Sequence, residues 1–523
     1  MVINLSSQSN SHQSERPVVF ADRIGRLYAE AATDEHKKGL GQYLTPVPVA
    51  DFMGSLISAR NKSRIRILDP GIGSSILSCG ACESLITRNT GVKEVELVGY
   101  ELDKKLLPTT QKALHYLKDW MAARGVTLEH IIKRSDFILE NGHVLQENLS
   151  LFASESESPK YDIVISNPPY FKIGKDDPRA MAASSVVHGQ PNIYALFMAI
   201  SAYLMDEKGD FIFITPRSYA SGPYFKRFRE VFFSKVVPEH FHIFGSRKEA
   251  FDRDSVLQEN LILHAKRRTE HSKDHNKTVK ISFSQGSNDL SKPVKRTALL
   301  KDVINPKDKN VIIFIPTTDE EEQIIARVNS WKSSLHKYEM EISTGPVVPF
   351  RATKFIRYQG DIKNGEAPLI WMINVRDGKF SWPLRERNKE QYIIVDDESM
   401  PLLVPNRNYV FLRRFSAKEE EKRLNSSAYL KNDIPCKWLG LENHINYVHR
   451  PDGEITKEEA LGVSAILNSR FLDTYFRTSN GNTQVSATEI RDMPLPDISI
   501  IQKIGSKIEK EGVESVELES ILP

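Results

Sequence analysis

The ten residues Tyr161 to Tyr170, YDIVISNPPY, constrain this chain more than any other stretch. A continuous apolar run with no polar alternation reads as a strand buried on both faces, the signature of a parallel sheet. That strand must stop at Asn167, because the two prolines that follow cannot donate to a ladder and hold the backbone rigid. The stop presents two acceptors, the side-chain oxygen of Asn167 and the carbonyl of Pro168, with Pro169 and the ring of Tyr170 beside them. An exocyclic amine on a nucleobase has a lone pair delocalised into the ring, so acceptors that draw its hydrogens favour a tetrahedral, nucleophilic nitrogen. An aromatic ring next to them suits a base rotated out of its stack. The plain alternative is a rigid strand-end turn carrying a surface tyrosine.

Three signals upstream weigh against that alternative. In Ile65 to Ser75, IRILDPGIGSS, an apolar strand runs into Asp69 and a turn containing Gly71 and Gly73, whose backbone lets a nucleotide-like ligand approach closely. In Glu96 to Asp103, ELVGYELD, a second strand ends in Glu101, about thirty residues on, where a carboxylate accepts from both hydroxyls of a ribose. Asp136 in RSDFIL follows another helix and could receive the amino group of an adenine ring, although alone it reads as a helix cap or turn residue.

Short apolar runs (Ile65 to Leu68, Val95 to Tyr100, Tyr161 to Ser166, Asp210 to Thr215, Asn260 to His264) alternate with amphipathic stretches such as Lys104 to Ala123. This rhythm predicts an α/β domain around a largely parallel sheet. The polar segments Lys266 to Lys277 and Ser287 to Lys309 read as loops or extensions leading out of that domain. Near residue 330 the pattern changes to short irregular elements with many prolines and glycines, so 1–330 and 331–523 are expected as separate domains, the second of mixed α+β structure. In the second, basic and aromatic residues interleave: Arg351, Lys354, Arg357 and Tyr358, then Lys379, Phe380 and Trp382, then Arg413, Arg414 and Phe415. Such a mixture suits phosphate neutralisation joined to base and sugar contacts; a solvated surface over a small core looks the same.

Composition excludes other classes. The 523 residues, 40% hydrophobic and 27% charged, contain no apolar run long enough for a bilayer, so no membrane partner is expected. The polar first residues lack the core of a secretory signal and three cysteines cannot build a disulfide framework, which predicts a reducing cytoplasm. A net charge of +3 permits nucleic-acid binding without announcing it. Cys79 and Cys82 form a CxxC with no second pair at metal spacing and read as core residues; Cys436 reads as structural, and no metal is expected.

Taken in this order, the motifs resemble the gamma class of adenine-N6 DNA methyltransferases of restriction-modification systems, TaqI-like in motif order and near the PstI/BsuBI type. The resemblance implies a class I S-adenosylmethionine-dependent methyltransferase fold, Rossmann-like, with a C-terminal target recognition domain. It assigns Gly41 to Pro46, GQYLTP, to the methionine side of S-adenosylmethionine, with Tyr43, Thr45 and Pro46 as contacts. Asp69, Gly71 and Gly73 match the glycine loop, Glu101 the ribose acid, Asp136 the adenine acid and Asn167 to Tyr170 the catalytic tetrapeptide, with Asn167 also beside the cofactor. Phe251, in EAFDRDSVLQENLIL, stands where the class places a second aromatic against the flipped base. The similarity extends less specifically to FLRRFSAKEEEKR, LENHINY and NGNTQVSATEIRDMPLP. Double-stranded DNA is the implied partner, with a restriction endonuclease acting on the same site without a stable complex. The class usually has a glycine where Ser75 stands and a small residue where Ile72 stands; both changes are expected to add bulk beside the cofactor. Two other functions fit the motifs: a catalytically silent DNA-binding protein that keeps the fold, and a glutamine-N5 protein methyltransferase, which shares NPPY.

Overall fold

The computed structural model describes residues 15–523 except 34, 37–38, 40, 42–43, 89–90, 148–157, 246–258, 270–276, 305–309 and 385–387. The chain divides between Thr317 and Thr318 into two compact units. The division falls one helix ahead of the composition change at 330, because the amphipathic helix Asp319–Ser330 packs on Arg470–Ser479 of the second unit.

The first unit is a nine-stranded sheet in the order β3-β2-β1-β4-β5-β7-β6-β8-β9. Its strands are β1 (Arg64–Asp69), β2 (Glu94–Tyr100), β3 (Thr127–Lys133), β4 (Tyr161–Ser166), β5 (Met205–Pro216), β6 (Val236–Phe244), β7 (Asn260–Arg267), β8 (Thr278–Ser284) and β9 (Val294–Leu299). Strands β1 to β5 pair in parallel, and β7 enters antiparallel between β5 and β6. Five apolar runs expected as strands form β1, β2, β4, β5 and β7. Within the polar segment Ser287 to Lys309, residues 287–304 stay with the domain: β9 pairs with β8 on the sheet edge, followed by the short helix Leu300–Val303. Its lysines and serines misled because an edge strand tolerates polar residues on its exposed face.

Parallel strands need cover on both faces. Alternate residues accordingly feed two cores: Leu68 and Val164 belong to one, Ile65, Ile67, Ile163 and Ile165 to the other. Helices α1 (Pro17–Ala31), α2 (Val47–Ser55), α3 (Ile76–Thr87) and α4 (Leu107–Ala122) build the second core. Helix α3 is apolar nearly all round and carries Cys79 and Cys82, both buried in that core. At the far end of β5 a fully buried Asp210 accepts from Arg60 at 2.7 Å and Ser58 at 3.0 Å and meets His264 at 2.7 Å, which fastens the chain entering β1 to β5 and β7.

Among its described residues the second unit holds three small sheets, one antiparallel of four strands, one mixed of five and one antiparallel pair, with helices Lys457–Leu467, Arg470–Ser479 and Ile498–Glu511. This is the expected mixed α+β structure.

The turn between β1 and α3 explains the two departures in the glycine loop. Ile72, 3% exposed, turns down into the second core. A Cβ on Gly99 of β2 would lie 2.5 Å from its side chain, so Ile72 occupies room that Gly99 leaves open. Ser75 caps α3 in the left-handed conformation at φ 69°, fully buried, its hydroxyl without a partner among the described residues. Left-handed backbone costs an L-residue roughly 1–2 kcal/mol, partly offset by the entropy a glycine loses on folding. Ser75→Gly is therefore expected to stabilise the protein by about 1 kcal/mol in urea unfolding; a destabilised variant would show that the hydroxyl contributes to the turn.

Candidate active site

Because β1, β2 and β4 run in parallel, their last residues arrive on one edge of the sheet: Asp69, Tyr100 with Glu101 just beyond, and Ser166 with Asn167 just beyond. A cavity of about 270 Å³ opens at this edge, its wall including Gly71, Gly73, Glu101, Asp136, Asn167 and Pro169. Six of the expected site residues thus share one cavity.

Glu101 is gripped by two backbone amides, Asp103 N–H to Oε1 at 2.7 Å and Gly73 N–H to Oε2 at 3.2 Å. Burial raises its pKa to about 7, with the neighbouring Asp103 carboxylate adding to the effect against those hydrogen bonds. Asp136 reconciles its two readings. Its Oδ1 caps the helix Phe137–Asn141, accepting from Ile138 at 2.8 Å and Leu139 at 3.1 Å, while the residue also lines the cavity. Asp69 lies beneath the loop, 1% exposed, accepting from Ser78 at 2.8 Å, and is not on the cavity wall. Burial pushes its carboxyl up to about 7.

At the end of β4, Asn167 donates through Nδ2 to Thr45 Oγ1 at 3.1 Å, and its Oδ1 accepts from the Tyr170 hydroxyl. These partners fix the orientation of the amide. The Tyr170 ring is 6% exposed, edge-on to Tyr194 at 6.1 Å, with its hydroxyl also 3.0 Å from Ile214 O. In this structure Tyr170 therefore braces Asn167 rather than offering a stacking face, and the next ring, Phe171, lines the cavity. Gly41 has φ +61° and lies so close to the tetrapeptide that a Cβ would sit 2.9 Å from Phe171 and 3.0 Å from Tyr170 N. The upstream motif is thus packed on NPPY, with Thr45 and Pro46 buried at the start of α2 and Leu44 on the cavity wall. Tyr43 and Phe251 lie outside the described residues.

Sequence reasoning missed Tyr28, Asp103, Phe171, Arg179, Ile193 and Phe197, all on the wall. Phe171, adjacent to NPPY, was accessible to inspection; Tyr28 and Asp103 meet across 75 residues and carry no local signature.

The Eco57I restriction-modification methylase family matches residues 94–251. The type II methyltransferase M.BsuBI of Bacillus subtilis is 33% identical over 93% of this chain and 94% of its own length. M.PstI of Providencia stuartii, also a type II methyltransferase, is 29% identical over 96% of each chain. Among solved structures, the cryo-EM DrdV–DNA complex is similar over 96% of this chain, which spans 60% of that one, at 14% identity and a TM-score of 0.49. At the identity and coverage shared with M.BsuBI, the chain belongs to the type II DNA methyltransferases of restriction-modification systems, S-adenosylmethionine-dependent enzymes of the class I α/β fold.

Proposed function

We propose that the chain methylates N6 of an adenine within a specific sequence of duplex DNA, and that the adenine is swung out of the helix to reach Asn167. The observation that carries this reading is the Asn167 amide, fixed by Thr45 and Tyr170 on the rim of a cavity whose other wall bears Glu101 and Asp136.

S-adenosylmethionine fits that cavity. Gly71 lines it, with a Cβ there coming within 3.6 Å of the Asn167 carbonyl, and Glu101 is a half-buried acceptor suited to a ribose diol. When bound, the cofactor supplies a methyl group on a positively charged sulfur. Glu101 accepts from the ribose, Asp136 receives the adenine amino group, Gly71 and Gly73 admit the ligand to the backbone, and the GQYLTP segment closes the methionine side. Asn167 Oδ1 and the Pro168 carbonyl accept the two hydrogens of the target amine and align its lone pair on the methyl carbon. The departing proton passes to water. Phe251 and an aromatic of the NPPYF segment hold the base; with Tyr170 engaged as described, the position of Phe171 on the cavity wall supports a share for it in that work.

The second unit is assigned to base reading. Of its interleaved residues, Arg351, Lys354, Tyr358 and Lys379 are exposed. Phe380 and Trp382 pack against a core, and Arg414 donates to Asn443 O at 2.9 Å. DNA contact is accordingly assigned to the exposed set.

Three outcomes test the reading. Asn167→Ala is expected to lower turnover by about a hundredfold or more, the scale of about 2.7–4 kcal/mol for one positioned polar group, with cofactor affinity retained; near-normal turnover removes Asn167 from the chemistry. Glu101 accepts from both hydroxyls of a ribose most strongly as the carboxylate, and with a pKa near 7 its charged fraction falls as pH drops. Calorimetric affinity for S-adenosylmethionine is therefore expected to be about tenfold weaker at pH 6 than at pH 8, and a flat profile displaces Glu101 from the ribose. Finally, duplex DNA incubated with labelled S-adenosylmethionine and hydrolysed is expected to yield N6-methyladenine. Label only in N4-methylcytosine, or in methylglutamine of an added cell extract, ends the assignment.

A further inference from the structure

Asp103 lies two residues past Glu101, 5% exposed and on the cavity wall, and its carboxylate is fully engaged. Oδ1 accepts from Lys105 N at 2.9 Å. Oδ2 takes the Tyr28 hydroxyl of α1 and lies 3.0 Å from His36 Nε2, the nitrogen that donates when the partner is a carboxylate. Both partners precede it by more than sixty residues in sequence. A carboxylate this buried is costly unless its lone pairs are filled, so these two donors determine whether the turn after β2 keeps its shape. That shape matters to the ligand site directly. The backbone N–H of Asp103 donates to Glu101 Oε1 at 2.7 Å, and the opposite oxygen takes Gly73 N–H at 3.2 Å. A continuous series of hydrogen bonds therefore runs from Tyr28 and His36, through Asp103, to Glu101 and the glycine loop.

We propose that Tyr28 and His36 are positioning residues of the cofactor site, which hold the Asp103 turn so that Glu101 meets the ligand in a fixed orientation. Tyr28, itself on the cavity wall, also makes α1 part of the enclosure. Neither residue touches the reacting atoms, so their loss acts on cofactor retention rather than on the transfer step. The inference rests on S-adenosylmethionine occupying this cavity.

The test measures calorimetric affinity for S-adenosylmethionine, the dissociation rate of S-adenosylhomocysteine, and steady-state kinetics with duplex DNA, using the full chain. Tyr28→Phe and His36→Ala are each expected to raise the dissociation constant about tenfold through faster release, with KM for the cofactor raised and kcat little changed. His36→Gln, which keeps an N–H donor, is expected to bind within about twofold of the parent. Tyr28→Phe added to Asp103→Asn is expected to cost less than Tyr28→Phe alone, since both act through one carboxylate. Unfolding of the ligand-free single variants reports folding separately, and Tyr28→Phe removes only a hydroxyl. Unchanged affinity in Tyr28→Phe and His36→Ala, beside a weakened Glu101→Ala control, overturns the proposal and leaves the cavity assignment standing. A Glu101→Ala control that binds normally overturns both.

Discussion

Parallel pairing of β1 with β2 on one side and β4 on the other is the arrangement on which the site depends. In an antiparallel trio the ends of neighbouring strands would lie on opposite edges. Here the same edge receives the glycine loop, Glu101 and Asn167, separated in sequence by up to about a hundred residues but joined by strand register. The condition for such pairing is burial on both faces, and the helices that provide it do double service. Thr45 and the N-cap Pro46 lead directly into helix α2, so covering the sheet also brings a hydroxyl to Asn167.

The polar groups of the site are held mostly by other polar groups of the site. Glu101 ties its own turn to the glycine loop, and Asn167 ties the GQYLTP segment to Tyr170. In a low-dielectric setting such pairs fix donor and acceptor directions before any ligand arrives. For Asn167 the benefit is a fixed amide, with Thr45 engaging the nitrogen side and the Tyr170 hydroxyl the oxygen.

How much of this was legible from sequence depended on range. Strands β1, β2, β4, β5 and β7 are apolar runs whose side chains bury on both faces, so hydrophobicity located them, and the strand-end residues of the site followed. β3, with exposed Glu129 and Ile131, and β9, polar along its exposed edge, alternate or lack the run and were not singled out. Helix-cap chemistry was visible at Asp136 because a cap is a local event. The partners of Asp103 were invisible because Tyr28 and His36 reach it only after α1 has docked. Tyr170 was placed correctly in the chain, yet its ring is turned inward by contacts with Tyr194 and Ile214 that no tetrapeptide encodes.

The fit of Ile72 over Gly99 makes the two positions one volume shared between the glycine loop and the end of β2: a bulky residue at 72 is accommodated because position 99 has no side chain, and a side chain at 99 would crowd Ile72. Substitutions at the two positions are therefore not independent, and a methyl group at 99 costs less when 72 is small than when it is isoleucine. The bulk that Ile72 brings to the glycine loop is carried inward to the core beside β2, and the residue is not on the cavity wall.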